Sequence, residues 1–228
     1  MKLGKRLKKI DEGNNFFYLT LALIALLISS AMAEVVGTGI INHLLQLFII
    51  ITFIVCLFSL RFDRNWSRFL ISLTICWVIV SVIKLALSIR EMDFIMLALT
   101  FAFFFGTFKS TAKQVLFQGD VTINKVIGSV ALFLLLGLMW AIVYLIVIEY
   151  SPNAFTGMEA ISWGENFSNA AYFSFVTLTT LGYGDISPLT PLAQVIVYLE
   201  AIVGVFYMAI VVSSLVSANI EQREHHNG

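Results

Sequence analysis

Long apolar runs separated by short polar segments account for most of the chain. Runs at 16–32, 40–60, 69–87, 126–148 and 191–218 are long enough to cross a hydrocarbon core of about 30 Å as helices. The run 92–108, like 16–32, sits near the lower limit for crossing. Between the fifth and sixth spans the pattern changes. A polar loop (149–166) is followed by a mostly apolar segment of about a dozen residues, 167–178. At 1.5 Å per residue that segment covers only ~18 Å, so it predicts a helix that enters the membrane without crossing it. Ser168 is its expected N-cap. Residues 109–125 mix charges with an apolar patch at Val115, Leu116 and Phe117 and predict an interfacial linker helix.

The pattern therefore predicts an all-α membrane protein with six transmembrane helices and one re-entrant helix per chain. It divides the chain into a basic N-terminal segment (1–15), a four-helix membrane domain (16–108), the linker (109–125), a second membrane domain (126–218) and a short polar tail (219–228). The tail predicts no appended nucleotide- or calcium-binding domain.

Composition agrees: 59% of the 228 residues are hydrophobic and 12% charged, with mean hydropathy +0.92, which excludes an ordinary soluble domain. The net charge is zero, but its placement carries information. With both ends on one side of six spans, that side holds every lysine and arginine except Lys84 and Arg90. The positive-inside rule makes it the cytoplasmic side. Acids on the other side include Glu34, Glu91, Asp93, Glu149, Glu159, Glu165 and Asp185. Cys56 and Cys76 lie inside apolar runs and predict packing, not a disulfide. His43 has no partner ligands for a metal, and no nucleophile–base pair or phosphate loop stands out. The chain is expected to be no enzyme and to have no nucleic-acid partner.

One stretch carries readable chemistry: Thr179-Thr180-Leu181-Gly182-Tyr183-Gly184-Asp185, between the short helix and the last span. Glycine takes positive φ without cost, so Gly182 and Gly184 permit an alternating backbone that a regular strand cannot hold. Such a backbone turns successive carbonyls to one side. Several chains around an axis would stack those carbonyls into rings that replace the water around an ion.

This stretch resembles the selectivity filter of tetrameric potassium channels, with Leu181 where valine is usual. The resemblance covers Val126 to Ser217. It implies potassium-selective conduction across a cell membrane, most simply a bacterial inner membrane, by a homotetramer in the lipid bilayer. K+ would bind at Thr180, Leu181, Gly182 and Tyr183, with Gly184 completing the filter. Leu181 and Tyr183 side chains would pack behind it. Asp185, Tyr172 and Thr179 would support it, Tyr172 by a hydrogen bond to Asp185 or to backbone near Tyr183. Gly204 matches the hinge glycine of the family's inner helix, with close helix packing as the alternative. Met208, Val212 and Val216 continue its face and would form an apolar inner gate.

Glu200, one turn before Gly204, is a carboxylate at membrane depth and a functional residue by default. It is expected to face the short helix and to bond Thr177 or backbone, in a structural or a proton-sensing role. The first four spans resemble a voltage sensor without its charges: 92–108 contains no Arg or Lys. Little intrinsic voltage dependence follows, since each gating charge is worth only ~2.3 kcal/mol per 100 mV. Asn42, His43 and Gln46 form either a small polar pocket or an interhelical hydrogen-bond cluster, with Lys84 at similar depth. A non-selective cation channel, a transporter subunit and a membrane sensor built on the four-helix half are the rival readings.

Overall fold

The computed structural model describes residues 15–36, 38–59, 64–87, 92–116, 122–159 and 161–227. These residues form seven helices: α1 (Asn15–Val36), α2 (Thr38–Ser59), α3 (Arg64–Leu87), α4 (Met92–Leu116), α5 (Ile123–Tyr150), α6 (Trp163–Leu178) and α7 (Pro191–Asn227). Five of them, α1, α3, α4, α5 and α7, are long and apolar enough to cross a membrane. The sixth expected span corresponds to α2, whose described apolar part is Gln46–Ser59.

Three boundaries differ from those read in the sequence. Lys109 to Leu116 does not form a separate linker helix but continues α4 unbroken. Lysine interrupts the apolar run there without interrupting the helix, because Thr107, Thr111 and Val115 keep one buried face going. The polar tail likewise continues α7 through Asn227. The short helix begins at Trp163, and Ser168 lies inside it. Its N-cap is Ser162, which forms a capping box with Glu165 at the third helical position.

The four-helix half is filled by aromatic rings. Phe53 stacks on Phe103 at 3.9 Å and meets Trp77 and Phe104 edge-on, each at 5.9 Å. All four are fully buried. The Trp77 indole donates to Thr100 Oγ1 at 2.9 Å, which satisfies its one polar atom. Gln46 accepts from Ser81 at 3.2 Å, an α2–α3 hydrogen bond. The side chains of Asn42 and His43 lie outside the described residues. Among free cysteines, Cys56 is buried and Cys76 exposed.

Helix α5 is the hub. It packs against α1, α4, α6 and α7, and α1 and α2 also reach α6. Helix α6 is therefore seated between the four-helix half and α7. Helix α3 presents Ile71, Ile75, Ile79, Val82 and Leu85 outward, as a lipid-facing helix does. A two-residue antiparallel ladder, β1 (Phe155–Thr156) with β2 (Ser187–Pro188), ties the loop before α6 to the segment after the glycine-rich stretch.

Candidate functional site

The site starts with the end of α6. The Thr180 N–H donates to Thr177 O at 2.9 Å and the Leu181 N–H to Val176 O at 2.9 Å. This pair of bonds is a Schellman closure, which requires a left-handed residue between the cap, Thr179, and Leu181. That residue is Thr180, at φ 59°. A β-branched residue there costs on the order of 1–2 kcal/mol, which the helix end and the following turn must over-determine.

The left-handed residue of the cap is also the first of a series. Thr180, Gly182 and Gly184 have φ of 59°, 54° and 82°, while Leu181 and Tyr183 between them stay at negative φ. This alternation turns successive peptide planes the same way, which is how carbonyl oxygens come to share one face. Among the described residues, none beyond the chain neighbours comes within 4 Å of a Cβ built on Gly182 or Gly184, so within the chain conformation, not crowding, selects glycine. The sequence predicted the two glycines; the positive φ of Thr180 has no signature in a threonine.

All five residues from Leu181 to Asp185 are exposed. Leu181 and Tyr183 side chains, expected to pack behind the stretch, are 54% and 67% exposed within the chain. Nothing among the described residues covers these side chains within one chain. The outer end is held from two sides. The Tyr172 hydroxyl donates to Asp185 Oδ2 at 2.7 Å. That bond holds the Asp185 carboxyl below its ordinary range. Gly157, at φ 77°, brings its backbone so close to Asp185 that an added Cβ would lie 2.5 Å from the Asp185 carbonyl oxygen. Thr179, expected to support the stretch, turns its hydroxyl back to Phe175 O at 2.6 Å.

Behind α6 lies a polar knot that joins three helices. Glu200 of α7 is fully buried. Ser174 Oγ lies 2.5 Å from Glu200 Oε1, and the Tyr144 hydroxyl donates to Glu200 Oε2. The expected partner, Thr177, is one turn further along; the carboxyl reaches Ser174 instead. Ser174 Oγ is also 2.7 Å from Gly137 O. The serine hydroxyl has one proton, shared between these two acceptors. Tyr144 also packs against Phe173 at 4.9 Å and Phe155 at 5.4 Å, which sets its hydroxyl.

Gly204 lies against the end of α6. A Cβ there would sit 2.1 Å from Leu178 O. Helix α7 passes this point unbroken. Gly204 and Met208 share a cavity of about 580 Å³ with Thr179, Thr180, Phe133 and Val211. Val212 and Val216 lie on α7, but their side chains fall outside the described residues. Among the described residues no His, Cys, Asp or Glu cluster suited to a metal ion occurs.

Residues 130–221 match a family model described as "Ion channel". Curated relatives include Two pore potassium channel c of Oryza sativa subsp. japonica, 40% identical over 25% of this chain and 13% of its own length. The inward rectifier potassium channel Kirbac3.1 of Paramagnetospirillum magnetotacticum is 34% identical over 36% of this chain and 25% of its own. Two-pore potassium channel 5 of Arabidopsis thaliana is 29% identical over 46% of this chain and 27% of its own. The chain thus spans no more than about a quarter of the length of these relatives. No solved structure matches it. The family and these relatives are ion channels, not enzymes.

Proposed function

We propose that this chain, a membrane protein whose residues 130–221 match an ion-channel family model and whose curated relatives include potassium channels, is one subunit of a homotetrameric, potassium-selective channel. One observation carries the reading: positive φ at alternate residues Thr180, Gly182 and Gly184, across a Thr-Leu-Gly-Tyr-Gly stretch exposed along its whole length. One such strand cannot enclose an ion; four around an axis can, with rings of oxygen from Thr180, Leu181, Gly182 and Tyr183 in place of hydration water. The exposed apolar face of α7, including Leu199, Ile202, Val203, Phe206 and Ile210, supports contact with other subunits or lipid.

The channel passes K+ down its gradient through a cell membrane, with both termini cytoplasmic and Asp185 at the outer mouth. Gly204 and Met208, with Val212 and Val216 beyond them, form the inner passage, and bending near Gly204 opens it. Voltage has little intrinsic effect, because Phe103 and Phe104 fill the four-helix interior where a sensor would carry charge.

The test is ion flux in liposomes that hold the purified protein, with potassium inside and sodium outside. Potassium-driven flux lost in Gly182→Ala or Tyr183→Ala is the expected result. Equal passage of sodium and potassium would refute selectivity. No flux through a tetramer in intact vesicles, at any pH or membrane potential applied, would refute conduction.

A further inference from the structure

Asp93 occupies the first turn of α4 and is buried. Two groups from other elements converge on one of its oxygens. Lys84, in the last turn of α3, forms an ion pair with Oδ1. The indole N–H of Trp163, the first residue of α6, donates to the same Oδ1 at 2.9 Å. The Lys84 ammonium also stands 6.0 Å from the Trp163 ring. Trp163 itself is buried and fixed by the Ser162–Glu165 capping box beside it.

We propose that Asp93 is a positioning residue for the filter, through which the four-helix half holds the outer end of the pore helix α6. The inference rests on the channel reading above but concerns a part of the chain that reading leaves without a role. An ionised carboxylate out of water needs a charge partner and a donor, and here both come from elements other than its own. The same carboxylate faces the N-terminus of α4, where negative charge is favoured. Moving the outer ends of α3 and α4 relative to α6 therefore breaks a desolvated contact, so the three ends move together.

The other end of α6 gives the contact its consequence. Helix α6 has 16 residues, about 24 Å of hydrogen-bonded rod. Its far end is closed onto the filter by the Thr180 and Leu181 N–H groups. A displacement imposed at Trp163 is delivered to the first carbonyls of the filter, because nothing compliant lies between them. The four helices, without gating charges, act as a frame that sets where the filter stands.

The test compares Trp163→Phe, Asp93→Asn and the double variant with wild type, as full-length protein in liposomes. Trp163→Phe removes only the indole donor, and Asp93→Asn keeps an acceptor while it removes the charge that holds Lys84. The readouts are cation flux and the sodium-to-potassium permeability ratio from reversal potentials, beside thermal unfolding of the detergent-purified protein. Each single variant is expected to change the permeability ratio or the flux at least fivefold, and the double variant to add less than twofold to the larger single effect. Wild-type flux and ratio in variants that only unfold at lower temperature would overturn the proposal, since that is what a merely structural contact does. Additive single effects would overturn it too, as would failure of every variant to assemble. A wild-type protein that passes sodium and potassium equally would refute the potassium reading yet leave this comparison valid on total cation flux.

Discussion

Gly204→Ala distinguishes two reasons for a glycine in α7. The added Cβ would lie 2.1 Å from Leu178 O, 3.0 Å from its carbonyl carbon and 3.1 Å from its Cα. An ordinary carbon–oxygen contact is about 3.3 Å, so helix and carbonyl must separate by about 1.2 Å. All three opposing atoms are backbone, and no side-chain rotation relieves the clash. Overpacking of this kind costs roughly 1–3 kcal/mol, and a rigid backbone neighbour puts the site at the upper end. Alanine returns about 1 kcal/mol through its better helix propensity. The net loss is about 2 kcal/mol per subunit.

The peptide that must move joins Leu178 to Thr179, one residue before Thr180, the first residue of the proposed filter. If about 1.4 kcal/mol of the strain is expressed at the Thr180 ring, ion discrimination changes tenfold. The expected result is a lower unfolding temperature together with a roughly tenfold loss of potassium-over-sodium preference in reversal-potential recordings. A variant with wild-type selectivity and unfolding temperature, altered only in the fraction of time it conducts, would refute the packing account and leave the hinge alone.

Two further outcomes follow from the same geometry. Glu200→Leu leaves the buried Tyr144 hydroxyl without its acceptor, a loss of ~1–3 kcal/mol, whereas Glu200→Gln keeps an uncharged acceptor and should lose under about 1 kcal/mol; equal destabilisation in thermal unfolding would mean that Glu200 is ionised. Tyr172→Phe removes the bond that keeps the Asp185 carboxyl below its ordinary range. The Asp185 charge is present above its lowered value and lost as pH falls through it, so in the variant it should be lost at a higher pH. Flux measured between about pH 5 and 3 on the outer side should decline earlier than in wild type, and superimposable profiles would refute the role of the bond.

The unusual backbone at 182–184 was legible because its cause lies in consecutive residues: two glycines at alternate positions announce it. The spans were legible for the same reason, since lipid demands long uninterrupted apolar runs. The Ser162–Glu165 box was equally readable, as a serine three residues before a glutamate, but Trp163 and Gly164 are not an apolar run, and Ser168 beside the apolar stretch drew the boundary inward. The Tyr172–Asp185 bond was anticipated, thirteen residues apart and both beside the stretch, but the longer-range contacts that hold the site were not legible. Tyr144 and Glu200 meet across 56 positions, and Asp93 and Trp163 across 70. Tyr144, Asp93 and Trp163 have ordinary local explanations, an interfacial aromatic or a loop charge, until the fold brings them to their partners; Glu200 stood out by its depth, but its partner Tyr144 did not.

The closure of α6 at Thr180 sets two demands on one position. The backbone asks for a residue at ease in the left-handed region, which favours glycine, then asparagine or aspartate. In the proposed tetramer the Thr180 hydroxyls would add a lowest ring of oxygens, which asks for threonine or serine, both poor in that region. Selection for folding and selection for conduction thus rank the substitutes at residue 180 in opposite orders. A consensus drawn from stability alone would replace this threonine with glycine and leave a well-formed filter without its innermost ring.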